Sequence, residues 1–295
     1  MKEFLVISGK GGTGKTSITA GFAALAGDIV LADCDVDAAN LHMLLEPVTY
    51  HTEEFIGSRK ATIDPTHCSN CRLCQESCRF NAITSTEIAC TVNPLSCEGC
   101  GVCSFVCPKG AITMHDHVSG HWFLSDTRYG PLVHARLGIA EENSGKLVAK
   151  VREQAQRIAQ EKDVEYILVD GPPGTGCPVI SSISGVDLAL IVTEPTIAGL
   201  HDLERVRQLA GHFDVPVMVC INKYDLDEAY TRKIELYCQK QQIELAGRIP
   251  FDRNVVSALV RGIPAVAYAA PSTSENSAAK AIGDVWQAVR NRLLA

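Results

Sequence analysis

Short apolar runs rich in valine and isoleucine recur along the chain, each bounded by glycine, proline or carboxylates. EFLVISG (3–9), DIVLADCD (28–35), EYILVDG (165–171), VDLALIVTE (186–194), VPVMVCIN (215–222) and IELAGRIP (243–250) predict strands. Stretches with helical spacing fall between them, at about 15–26, 145–161, 200–212, 227–241 and 275–293. Near-continuous apolar strands separated by helices predict an α/β fold with a mostly parallel sheet covered on both faces. The alternation lapses between about 55 and 120 and resumes at HWFLSDT (121–127).

The lapse is filled by a repeat. IDPTHCSNCRLCQESCRFNAIT (63–84) aligns with VNPLSCEGCGVCSFVCPKGAIT (92–113) at a spacing of 29 residues, with four cysteines, a proline and the final AIT in common. Helix or strand periodicity does not produce such a match. The chain therefore divides into a first part of one domain (1–58), an inserted module (59–118) and the rest of the first domain (119–295).

Composition narrows the chemistry. The 295 residues are 46% hydrophobic and carry a net charge of −7, which disfavours a general affinity for nucleic acid or anionic membrane. No apolar run, 263–270 included, approaches the roughly 20 residues of a membrane span. No signal peptide precedes the first strand, so a cytoplasmic location is expected. Thirteen cysteines in such a chain predict metal ligation rather than disulfides, and nine of them fall between positions 68 and 107.

GKGGTGKTS (9–17) follows a strand and opens a helix, the context that a phosphate-binding loop requires. Gly11, Gly12, Thr13 and Gly14 let the backbone turn its N–H groups around phosphates, and the helix N-terminus that follows, with Ser17 in its first turn, adds a positive dipole. Lys15 is expected on the β- and γ-phosphates and Thr16 on Mg²⁺. Asp33 and Asp35 end the second strand, and Asp170 ends the strand ILVDG, where side chains meet a ligand at the sheet's carboxyl edge. Asp170 in that place suits a water-mediated hold on Mg²⁺. Phosphoryl transfer needs metal charge and an aligned nucleophile more than covalent help, which carboxylates can supply.

With Lys10 included, the loop reads K-G-G-x-G-K-[ST] and resembles the deviant Walker A motif of the MinD/ParA/nitrogenase-iron-protein class of P-loop ATPases. The resemblance implies ATP and ADP as ligands and a homodimer formed through the nucleotide face, with Lys10 reaching the partner's nucleotide. It implies that Asp35 orients the attacking water and that Asp33 lies near Mg²⁺, with Asp37 and Asn40 following. It further implies that Asn222 reads the adenine edge, and that IPFD, with Pro250 and Asp252, lies over the base. Gly171 to Gly176 would form the segment that responds to the γ-phosphate. The form D-x-P-P-G-T-G resembles the iron–sulfur carrier branch, except that Cys177 stands where that branch has aspartate. Cys177 is read as a bystander thiol, and Cys34 is given no role.

C-x₂-C-x₂-C-x₃-C occurs twice, at 68/71/74/78 and 97/100/103/107. This is the two-cluster bacterial ferredoxin spacing, in which the fourth cysteine of each run serves the other cluster. Cys68, Cys71, Cys74 and Cys107 would hold one [4Fe–4S] cluster; Cys97, Cys100, Cys103 and Cys78 would hold the second. Zinc in tetrahedral four-cysteine sites is the rival reading. The usual terminal proline is present after Cys107 and replaced by arginine after Cys78. Cys90, Cys220 and Cys238 are read as buried or free thiols.

Taken whole, the chain resembles MinD-superfamily P-loop ATPases that contain an inserted ferredoxin domain, and TRYGPLVHARLGIAEENSGKLV (127–148) resembles that group's link from insert to the γ-phosphate-sensing segment. Three functions are compatible. The first is an ATPase that couples nucleotide state to electron transfer with a redox partner protein; the second is an iron–sulfur carrier; the third is a positioning ATPase with a redox sensor. The face of the last helix formed by Ile282, Val285, Trp286, Val289 and Leu293 predicts packing against the sheet rather than membrane binding.

Overall fold

The computed structural model describes residues 1–138, 141, 144–269 and 277–295. Its strands are β1 (Lys2–Ser8), β2 (Ile29–Asp33), β3 (Val48–Ile63), β4 (Ile83–Ser85), β5 (Cys90–Val92), β6 (Ile112–Thr127), β7 (Gly130–Leu137), β8 (Tyr166–Pro173), β9 (Leu188–Thr193), β10 (Val217–Asn222) and β11 (Glu244–Ile249). Its helices are α1 (Lys15–Ala26), α2 (His42–Leu45), α3 (Leu73–Glu76), α4 (Val102–Val106), α5 (Ser144–Glu161), α6 (Cys177–Ile183), α7 (Ile197–His212), α8 (Glu228–Lys240), α9 (Arg253–Val260) and α10 (Ser277–Leu294).

A nine-stranded sheet runs in the order β11-β10-β9-β1-β8-β2-β7-β6-β3. Its centre is parallel: β1 pairs with β8 and β9, β2 pairs with β7 and β8, and β10 pairs with β9 and β11. The α/β class and mostly parallel sheet expected from the apolar runs are what the structure has. Each central strand is buried on both faces, as its continuous hydrophobicity requires. The register sets Asp33 beside Asp170, and Val6 beside Asp170, at the carboxyl edge.

The chain forms two compact units. One comprises Met1–Thr52, Trp122–Arg136 and Ser144–Ala295; the other comprises Glu53–His121 and Leu137–Asn143. Several elements escape the hydrophobic pattern. The first half of β3 (VTYHTEEF) is exposed almost throughout, and its charged and threonine-rich side chains suit an edge strand rather than a buried run. Strand β7 is interrupted in sequence by His134 and Arg136, which hides its buried residues. Four residues of the 127–148 link (139, 140, 142 and 143) lie outside the described residues, as do Ala270 of the apolar run and the first two positions of the expected last helix.

In the first unit the last helix closes the core. Ile282, Val285, Trp286, Val289 and Leu293 are buried, so the apolar face lies in the protein as expected. The Trp286 ring stands 5.3 Å from that of Phe22 on α1 and 6.4 Å from that of Phe4 on β1. No helix among the described residues is long and apolar enough to cross a membrane. Arg152 on α5 donates to Glu3 at 2.6 Å and to the Ser181 and Ser184 carbonyls, tying α5 to β1 and α6.

His134 is a titratable element of this core. It stacks against Phe123 and His42, and its Nε2 pairs with the Ser125 hydroxyl at 3.0 Å. Burial, and then the neighbouring His42, push it down to about 4 from an ordinary 6.5. The folded state thus binds fewer protons than the unfolded one between these values, and stability falls as pH drops through that window. The expected loss is about 3 kcal/mol between pH 7 and pH 4. Denaturant titrations should show wild type losing more stability than His134→Gln over this interval by about that amount; equal losses would refute it.

The second unit has a small core: Ala61, Cys74, Ala82, Ile83, Cys90, Cys97 and Ile112. Three of these seven side chains are cysteines. A module this small, with thiols in place of aliphatic bulk, has little hydrophobic stabilisation of its own and is the kind that metal chemistry staples.

Candidate nucleotide and cysteine sites

The turn between β1 and α1 is built from glycines because the backbone there takes conformations closed to other residues. Gly14 has φ +87°, and a Cβ on it would stand 2.3 Å from the Asn222 amide nitrogen. A cavity of about 840 Å³ opens over this turn, within the usual range for ligand sites. Gly11, Gly12, Thr13, Gly14, Lys15, Thr16 and Ser17 line it, with Asp35, Asp37, Asn40, Asn222, Pro250 and Asp252. Thr13 Oγ1 is buried with no partner among the described residues, an orphan of the kind a phosphate oxygen satisfies.

Lys15 is the electrostatic centre. Its ammonium lies 3.1 Å from Asp170 and 3.5 Å from Asp35. Burial pulls its pKa down, but Asp170, Asp35 and Asp33 outweigh burial and the net direction is up. Asp170 is fully buried and accepts from the Thr16 hydroxyl at 2.8 Å and the Thr19 hydroxyl at 2.9 Å. Burial raises Asp35 as well, against the pull of Lys15. This donor set (two hydroxyls, an ammonium and carboxylates at one sheet edge) fits a triphosphate with Mg²⁺, a hard cation that takes oxygen ligands.

Three expected residues are engaged by protein groups. Asp33 does not line the cavity; its oxygens accept the N–H groups of Asp35 at 3.1 Å and Leu41 at 3.2 Å, which braces the loop after β2. Burial first, and the Asp170 carboxylate second, push it up to about 8. Asn222 faces the cavity, but its amide donates to the Thr13 carbonyl at 2.7 Å and its oxygen accepts Lys223 N–H at 3.0 Å. Both ends of that side chain are engaged by backbone. Lys10 does not line the cavity and pairs with Glu194 at 3.1 Å. Glu194 also holds Lys223 at 2.6 Å, and the two lysines together keep its carboxyl below its ordinary range despite burial. The sequence signal for Glu194 was available: it ends the run VDLALIVTE at the same carboxyl edge.

Pro250 lines the cavity, while Asp252 caps α9 through Asn254 N–H at 2.8 Å and also accepts from Ala278 N–H at the start of α10. Cys34 is fully buried, and burial holds its thiol well above the ordinary range. Cys177 is exposed at the start of α6.

The eight run cysteines divide between two hollows of the second unit. Cys68, Cys71, Cys74 and Cys107 line one, and Cys78, Cys97, Cys100 and Cys103 line the other. Each hollow thus combines three cysteines of one run with the fourth of the other. A fifth, Cys90, lines the first hollow, and spacing within the runs gave no hint of it. Ala111 N–H donates to Cys107 Sγ and Ala82 N–H to Cys78 Sγ, both at 3.4 Å. All thirteen cysteines are free. Among the described residues no three His, Cys, Asp or Glu side chains converge as for one metal ion. The donor set, four sulfurs around a hollow with backbone N–H groups on them, fits a cluster whose ligands stand at separate corners.

The profile of the CobQ/CobB/MinD/ParA nucleotide binding domain matches residues 4–265. The protein MJ0578 of Methanocaldococcus jannaschii is 36% identical over 224 residues, 75% of this chain and 78% of that protein. An iron–sulfur cluster carrier protein of Pyrococcus horikoshii is 26% identical over 161 residues, 50% of this chain and 53% of that one. Among solved structures, the septum site-determining protein MinD complexed with Mg-ADP from Pyrococcus horikoshii shares the fold, with a TM-score of 0.59 at 18% identity over 98% of this chain and 95% of that chain.

Proposed function

The chain belongs to the CobQ/CobB/MinD/ParA nucleotide-binding domain family, and on that premise we propose that it is a Mg²⁺-dependent ATPase coupling nucleotide state to electron transfer through two [4Fe–4S] clusters. The observation that carries the coupling is the division of eight cysteines between two hollows, in a chain that also has a complete phosphate loop. When bound, Mg²⁺ neutralises charge between the β- and γ-phosphates, and the clusters store single electrons.

The chain's own residues have distinct tasks. Lys15 exchanges its carboxylate partners for phosphate oxygens. Thr16 and Asp170 would hold the metal. Asp35, on the cavity wall, orients the attacking water, while Asp33 keeps the Asp35 loop in place. Asn222 and Lys223 brace the phosphate loop from β10 through the Thr13 and Gly12 carbonyls. The protein acts as a homodimer closed over nucleotide, in a reducing compartment that keeps its thiols free, with a redox protein as partner.

Lys10 is proposed to leave Glu194 and reach the nucleotide of a second copy. Lys10→Ala should keep ATP affinity within about threefold while hydrolysis falls at least tenfold, as for a lost transition-state contact. It should also lose ATP-dependent dimerisation in sedimentation; a fully active monomeric variant would dismiss the role.

The coupling itself is tested by anaerobic EPR of the reduced protein with and without MgATP. Two interacting [4Fe–4S]⁺ signals whose midpoint or access to chelator changes with MgATP are expected, and indistinguishable titrations would end the proposal. A second reading is favoured by the carrier relatives and by Cys71 and Cys100, both exposed. If the chain donates clusters, its signals will disappear on mixing with an apo-acceptor; if it retains them, they will persist.

A further inference from the structure

The repeat that duplicates the cysteine runs provides an internal comparison, because each residue of one hollow has a counterpart 29 positions away at the other. Part of the environment is matched, including the N–H donors of Ala111 and Ala82 at equal distance from their sulfurs. The unmatched part is concentrated on one side.

Cys90 lines the first hollow, and its counterpart Ala61 lines the second. The buried Cys90 thiol reaches Asn70 Oδ1 at 3.6 Å, and that oxygen also accepts from the Ser85 hydroxyl at 2.9 Å. The backbone N–H groups of Cys90 and Asn70 face the Cys68 sulfur, and the Cys90 thiol, by donating to Asn70, positions one of these donors. At the second hollow the counterpart of Asn70 is Gly99, at φ +67°, where a Cβ would stand 2.0 Å from the Arg59 carbonyl oxygen. No side chain fits there. Charge differs in the same sense: Arg72 and Ser69 line the first hollow where Gly101 and Glu98 line the second. Lys60 acts the other way, donating to the Cys97 carbonyl at 3.0 Å, but Glu141 lies 3.7 Å from its ammonium and offsets the charge.

From these differences we propose that the two clusters are unequal, the one held by Cys68, Cys71, Cys74 and Cys107 having the higher reduction potential, with Cys90 as the positioning residue responsible. This rests on the two-cluster reading above. Hydrogen bonds to a ligating sulfur and positive charge both favour the more negative reduced form and raise the potential, and a carboxylate at the other hollow lowers it. A single electron from a low-potential one-electron donor therefore resides at the first hollow.

The test is an EPR-monitored redox titration of the full chain, with iron measured on the same samples. Wild type should hold about eight irons and show two separate one-electron midpoints. Cys90→Ala, which copies Ala61, should keep the iron and lower only the higher midpoint. The reduction equilibrium should shift by about tenfold, which is about 59 mV for a one-electron couple. Glu98→Ser, an exposed change that copies Ser69, should raise only the lower midpoint, so the proposal remains exposed to refutation if Cys90→Ala does not fold. Coincident wild-type midpoints, or variants that move neither or the wrong one, overturn the inequality while leaving two clusters standing. Loss of about four irons from Cys90→Ala would make Cys90 a ligand and overturn it as well. Wild type without iron would bring down the two-cluster reading itself.

Discussion

Lys15→Ala should lower MgATP affinity by about 100-fold or more. Among the described residues the ammonium is the one cation in contact with Asp170 and Asp35 where a triphosphate would enter, and it is 6% exposed. Removing it has two consequences of the same sign. Charge-assisted contacts to phosphate are lost, at about 1.5–3 kcal/mol each, and every 1.4 kcal/mol is tenfold in affinity. The carboxylates of Asp35 and Asp170 are then left without their nearest positive charge, and Asp35 faces an incoming polyanion. The same uncompensated charge should reduce folding stability, so calorimetric binding must be read alongside a melting curve. A folded Lys15→Ala protein that binds MgATP as wild type does would eliminate the phosphate-loop assignment.

The second large effect concerns iron and is expected from pairs of cysteine substitutions. Cys71 and Cys107 belong to different runs but line the same hollow, whereas Cys71 and Cys78 share a run and line different hollows. Cys71→Ser with Cys107→Ser should therefore leave about four irons per chain, since both changes remove the same cluster. Cys71→Ser with Cys78→Ser should leave almost none. If each run held its own cluster, the two outcomes would exchange places. Iron and sulfide analysis of anaerobically reconstituted protein separates these cases, and zinc in place of iron would remove both.

The sheet was legible in the sequence because its central strands are buried on both faces, so their apolar runs are continuous from EFLVIS through VMVCIN. The phosphate loop was legible because its glycines and lysine must occur at fixed spacing between a strand and a helix. The edge strand β3 was not, since it is solvated and its residues answer to water rather than to a core, whereas the other edge, β11, was read from IELAGRIP. Side-chain commitments were the least accessible. An asparagine at a strand end can read a base or brace a loop with the same amide, and only the Thr13 carbonyl at 2.7 Å shows which groups it meets here. Glu194 likewise gained meaning only when β9 brought it within reach of two lysines distant in sequence. Cys90 stood outside both runs, and its place among the other thiols depends on β5 pairing with β4.

Trp286 has a practical consequence. It is one of two tryptophans in the chain, and its ring touches the same helix whose first residue is Lys15. A displacement of that helix on loading would alter the polarity around an indole already present in the molecule. The protein thus carries a built-in optical reporter beneath its own phosphate loop, readable without a label and without disturbing a single thiol.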